Sequence, residues 1–112
     1  MDLSTETKND VLVVSPKEKR LDAKVAIDFK ENLIKMINSE GKKQILIDLE
    51  AIDFIDSSGL GAMVSALKAI GANGELKIVN PRAQVKNMFD LTRLNLVFNI
   101  FDNYDDALNS FN

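Results

Sequence analysis

The apolar positions along the chain change period several times, and each change predicts an element. Leu3, Thr5 and Thr7 alternate in "LSTET", and "KND" then leads into "VLVVSP". Alternation around a short polar turn predicts an antiparallel hairpin, ended by Pro16, which cannot extend a hydrogen-bonded ladder. "KEKRLD" has no clear period and reads as a short extended piece. From Asp22 the spacing becomes three and four: Ala26, Phe29, Leu33 and Ile37 fall on one helical face. Asp22 is placed to cap that helix, which runs to about Asn38, and Gly41 is placed to stop it. In "QILIDL", Ile45, Leu46, Ile47 and Leu49 are apolar on both faces, the mark of a central strand.

A second helical stripe follows in Leu60, Met63, Val64, Leu67 and Ile70, closed by "GANG". "ELKIV" is a strand. "NPRAQVKNMFDL" predicts a helix with Asn80 as cap, Pro81 in the first helical position, and Val85, Met88 and Phe89 inward. "LVFNIF" predicts a last strand, and "NYDDALNSF" a closing helix with Ala107, Leu108 and Phe111 inward. After the hairpin, helices and strands alternate, which implies βαβ units. The expected fold is a single α/β domain over residues 1–112, with a mixed β-sheet and helices packed mainly on one face.

Composition narrows the function. The chain has 112 residues, nearly half of them apolar, enough to bury about 60 to 70% of the surface that the unfolded chain exposes. No apolar run approaches the roughly 20 residues of a membrane span. "MDLSTETKND" lacks the basic start and apolar core of a signal peptide, so a cytoplasmic protein is expected. The net charge is -3, and the basic pieces "PKEKR" and "GKK" are short, which argues against a nucleic-acid groove. Cysteine and histidine are absent, which removes Cys/His zinc sites, thiol nucleophiles and Ser-His-Asp chemistry. No carboxylate run has metal-loop spacing. No cofactor is expected, and the chain does not read as an enzyme.

One stretch is not explained by packing. "FIDSSGLG", residues 54–61, places a carboxylate, two hydroxyls and two glycines at the mouth of the second helix. A helix N-terminus presents unpaired N–H groups and partial positive charge. A P-loop would need Lys-Ser or Lys-Thr after its glycines, so nucleotide binding by the Gly59–Gly61 turn is only weakly signalled. A nucleophile elbow would need G-x-S-x-G and a base. Ser57 or Ser58 as a helix cap accounts for one hydroxyl. A modification site accounts for two hydroxyls behind Asp56 better, since a phosphate there adds about two negative charges.

"DLEAIDFIDSSGLGAMVSALKAI" resembles the STAS domain of the anti-sigma factor antagonist type, whose signature is hydrophobic-x-aromatic-hydrophobic-D-S-[ST]-G-L-G after a strand. "GELKIVNPRAQVKNMFDLTRLNLVFNIF" resembles that family's second signature, and the likeness extends over nearly the whole chain. The resemblance implies a partner switch. The unphosphorylated form would bind a serine-kinase anti-sigma factor, which phosphorylates the first serine of the motif, here Ser57. A PP2C-type phosphatase would reverse the modification. Carried over by position, Ser58 is a secondary hydroxyl and a cap. Asp22 and Asp56 join Ser57, Ser58, Gly59 and Leu60 in the partner-binding patch. The chain departs from the family at "KRLD", residues 19–22, where many members have Gly-Glu-Leu-Asp or Gly-Glu-Ile-Asp. Asp22 is kept, but Lys19 and Arg20 make this edge more basic, and they read first as solvated surface. The alternatives are a STAS scaffold or transport-complex subunit that is not phosphorylated, and a weak nucleotide-binding domain.

Overall fold

The computed structural model describes residues 1–40, 44–72 and 74–111. Its first two strands, β1 (Leu3–Lys8) and β2 (Val11–Pro16), form the expected antiparallel hairpin. Asn9 and Asp10 join them, both at positive φ (52° and 66°). Positive φ at both central residues is the turn whose twist matches that of paired strands, and Asn and Asp tolerate it. A short strand β3 (Arg20–Leu21) precedes helix α1 (Ala23–Glu40). Then come β4 (Gln44–Asp48), β5 (Phe54–Ile55), α2 (Ser57–Ile70), β6 (Glu75–Val79) and α3 (Ala83–Leu91). A 3-10 turn (Leu94–Leu96), β7 (Asn99–Phe101) and α4 (Tyr104–Asn109) complete the order.

Two sheets form among the described residues. The larger has five strands in the order β1-β2-β4-β6-β7, parallel except for the β1–β2 pair. This is the mixed sheet expected, with β4 at its centre. The smaller is the parallel pair β3–β5.

The strands of the large sheet bury alternate residues on opposite faces. Leu12, Val14, Ile45, Ile47, Leu76 and Ile78 meet Phe29, Leu33, Met63, Val85 and Phe89 of α1, α2 and α3 in the main core. Val11, Val13, Leu46 and Val79 meet Ala107 and Leu108 of α4 on the other face. Lys77 lies on that second face, only 6% exposed. Its ammonium reaches Ser110 O at 2.9 Å and Ser110 Oγ at 3.0 Å, and lies 4.7 Å from the Phe111 ring centre. A buried cation needs such partners, and the C-terminal end of a helix offers carbonyl oxygens with partial negative charge.

Two boundaries and one buried stripe differ from expectation. The third helix starts at Ala83, with Arg82 at the N-cap, because Asn80 adopts left-handed φ (58°) and donates its N–H to Phe101 O instead of capping. The last strand is shorter: Leu94–Leu96 coil into the 3-10 turn behind a left-handed Arg93, and Phe98 turns inward to stack edge-on against Phe89. Within the second stripe Val64 and Leu67 are half-buried, while Ala62 and Ala66 take the tight positions of the core. Gly71 ends α2 at φ 71°, as "GANG" predicts, but Asn73 and the expected stop at Gly41 lie outside the described residues.

Candidate functional site

The small sheet brings distant residues together. β3 and β5 pair Arg20 with Phe54 and Leu21 with Ile55. Lys19 O accepts the N–H of Asp53 (2.7 Å) and of Phe54 (3.2 Å), and Leu21 O accepts the N–H of Asp56 (3.4 Å). One residue past each strand stand Asp22 and Asp56, so the two aspartates meet at one edge, at the starts of α1 and α2.

Asp22 caps α1, as expected: its Oδ1 accepts from Lys24 N at 3.1 Å. Its Oδ2 takes the Nε of Arg20 at 3.2 Å, and that guanidinium lies 4.2 Å from the centre of the Phe54 ring. The cap of α2 is not a serine. Asp56 has extended backbone (φ -114°, ψ -174°), and its Oδ1 accepts from Ser58 N (2.9 Å) and Gly59 N (3.1 Å). Its Oδ2 accepts from Ala23 N at 3.3 Å. One carboxylate therefore satisfies the orphan donors of both helices and neutralises two dipole ends at once. A carboxylate reaches further and binds amides more strongly than a hydroxyl, so Asp56 displaces Ser58 from the capping role.

That substitution frees the serines. Ser57 and Ser58 are the first two residues of α2 and both are exposed. Their hydroxyls have no partner among the described residues. The same bonding removes the phosphate cradle: the N–H groups of Ser58 and Gly59, which a nucleotide would need, already serve Asp56. Among the described residues no group of His, Cys, Asp or Glu is arranged to hold a metal, and no helix is long and apolar enough to cross a membrane.

Gly59 and Leu60, expected in the partner-binding patch, are buried. A Cβ on Gly59 would stand 2.2 Å from Leu21 O and 2.7 Å from Ile55 Cγ1, so only glycine lets α2 start this close to β3. Leu60 is 3% exposed and belongs to the main core. Gly61 differs: a Cβ there would meet nothing within 4 Å. It lines a hollow of about 370 Å³ between α1 and α2, beside Ser58, Ser65, Ala23 and Ile27.

Sequence reasoning missed Gln84. Its Oε1 accepts from Ile55 N (2.9 Å) and its Nε2 donates to Ile55 O (3.1 Å). The side-chain amide thus acts as a third strand against the free edge of β5. Nothing local in "PRAQVKN" signals this, since the partner is 29 residues away.

The chain's relatives agree with this geometry. Residues 2–107 match the STAS domain profile. A protein of Thermotoga maritima, provisionally named an anti-sigma factor antagonist, is 30% identical over 101 residues, which cover 89% of this chain and 88% of that one. The anti-sigma-B factor antagonist of Staphylococcus aureus is 32% identical over 65 residues, 57% of this chain and 60% of its own length. The crystal structure of the Thermotoga maritima protein superposes with a TM-score of 0.88 at 28% identity, covering 96% of this chain and 92% of that one. The fold and the D-S-S-G-L-G helix mouth define a STAS domain. Within the STAS family, the chain belongs with the anti-sigma factor antagonists.

Proposed function

We propose that this chain is an anti-sigma factor antagonist that works by partner switching in the cytoplasm. Unphosphorylated, it binds a serine-kinase anti-sigma factor and so frees that kinase's client. The kinase transfers phosphate from ATP to Ser57, and a PP2C-type phosphatase removes it. ATP is the kinase's substrate, and this chain is a binding module rather than an enzyme. The observation that carries the reading is the free Ser57 hydroxyl on the first residue of a helix whose amides are already held by Asp56. The acceptor is exposed, fixed in position and not needed for the cap. Asp22 and Ser58 complete the exposed patch.

Phosphate on Ser57 acts by charge, not by refolding. Each apolar side chain that anchors α2 contributes about 1.5 to 3 kcal/mol. A phosphate at the exposed helix mouth interacts with the dipole for only about 0.3 to 1 kcal/mol. Packing wins, so α2 stays in place while a docked partner meets a dianion.

Incubation with the kinase and ATP should add one phosphoryl group, located at Ser57 by peptide mass spectrometry. Ser57→Ala should abolish the modification and keep kinase binding. Ser57→Glu should lose kinase binding while amide NMR shifts stay confined to residues near the motif. Modification confined to Ser58, or shifts spreading across β6 and β7, would overturn the reading.

A further inference from the structure

The edge beside Ser57 carries charges of both signs, and they differ in what they touch. Every carboxylate there is engaged. Asp22 holds Arg20 Nε and Lys24 N, and Asp56 holds three amides. Asp53 meets Arg82 Nε at 3.5 Å, and Glu18 accepts Asp2 N–H at 3.0 Å. The cations are not all engaged. Among the described residues the ammonium groups of Lys17, Lys19 and Lys24 have no partner, and all three side chains are exposed.

Lys19, Arg20 and Lys24 line one hollow of about 320 Å³ together with Glu18, Asp22 and Val25; Asp22 is paired with Arg20, and the two ammonium groups are left unpaired at the rim. The backbone here is held in place: the carbonyl of Lys19 is tied to two amides of the β5 segment, and the Arg20 guanidinium lies 4.2 Å from the centre of the Phe54 ring. Lys24 also breaks a local rule. It is the second residue of α1, where the helix dipole favours a carboxylate, and the first turn of α1 contains no acidic residue. The carboxylates of Asp22 and Asp56 already serve that helix end, so the helix itself does not call for the ammonium. A cation that its own helix does not need and that touches nothing inside the protein is free to meet a partner.

We infer that this hollow is a specificity-determining part of the docking face and receives carboxylate side chains of the partner. The inference rests on the partner-switching reading and adds the chemistry of the partner's surface. It also deepens the switch. Ser57 follows Asp56, whose Oδ2 bonds Ala23 N, the residue next to Lys24. Phosphate on Ser57 repels the incoming carboxylates and draws on the same lysines that attract them.

The test is the Lys19→Glu/Lys24→Glu double variant against the purified serine-kinase anti-sigma factor of the same organism, by calorimetry. At about 50 mM salt the variant should bind about tenfold more weakly than the wild type, and the gap should close towards about 500 mM. Its melting temperature should stay close to that of the wild type, because neither ammonium has a partner inside the protein to lose. A variant matched in charge at the far ends of the helices, Lys35→Glu/Lys68→Glu, should bind as the wild type does. Wild-type binding that the rim reversal leaves unchanged, or that both variants weaken equally, overturns this inference alone. So does wild-type binding to phosphatidylserine vesicles that the reversal abolishes while kinase binding is untouched. A wild-type chain that neither binds the kinase nor accepts phosphate overturns the partner-switching reading and this inference with it.

Discussion

The five-stranded sheet and the two-stranded sheet are held by different forces. In the large sheet β4 buries Ile45, Leu46 and Ile47 completely, between α1–α3 on one face and α4 on the other. The small sheet has four residues, of which only Leu21 and Ile55 are buried. An isolated pair of strands this short is not stable in water. Besides the burial of Leu21 and Ile55 in the main core, it is held in place by polar bonds: Gln84 on its free edge, the Lys19 carbonyl at its start and the Asp56 carboxylate at its end. The large sheet supplies stability, and the small one decides where Ser57 stands.

That division can be broken in graded steps. Ile47→Ala removes buried volume from the centre of the main core and should cost about 2 to 5 kcal/mol in urea denaturation. A smaller loss would mean that the large sheet is not the main store of stability. Gly59→Ala forces a Cβ against the backbone of β3, which cannot yield as a side chain can, and should cost about 1 to 3 kcal/mol in thermal melting. It strains the joint between the small sheet and α2, so partner binding should fall with stability. Gln84→Ala leaves both polar groups of Ile55 without their side-chain partner and should cost about 1 kcal/mol. Hydrogen exchange should speed up at Ile55 while Ile45 and Ile47 stay protected; equal acceleration everywhere would erase the distinction. Gly61→Ala should stabilise the protein by about 0.5 to 1 kcal/mol, since no contact opposes the better helix former. Two glycines of one motif would then give opposite signs.

The same division explains what could be read in advance. α1, α2 and β4 were legible because burial writes a periodic pattern, and Phe29, Leu33, Ile47 and Met63 sit where that pattern puts them. The hairpin was legible from "KND" between two extended runs. Of the small sheet only β3 was hinted at, as the extended piece in "KEKRLD", and β5 was not foreseen, because two residues per strand carry no period. Its supports act over long sequence distances, as Gln84 does on Ile55. Asp22 and Asp56 were placed together correctly. The cap of α2 was assigned to a serine because both residue types suit an N-cap, and only the geometry shows the carboxylate reaching two helices. The late start of α3 and the shortened β7 turn on left-handed backbone at Asn80 and Arg93; arginine does not announce it, and asparagine suits a helix cap as well as a left-handed turn.

The side chains of Ser57, Ser58, Lys19 and Lys24 have no hydrogen bond, ion pair or ring contact with any other described residue, whereas Gly59 and Asp56 are locked into their neighbours. Mutation therefore falls unequally on the two groups. On the partner-switching reading, a change at the rim would alter whom the protein meets at almost no cost in folding, and a change in the frame would be removed with the fold. Duplicated copies of such a gene can diverge in partner choice by drift at a few surface positions. Several switches can then run side by side in one cell on the same scaffold without cross-talk.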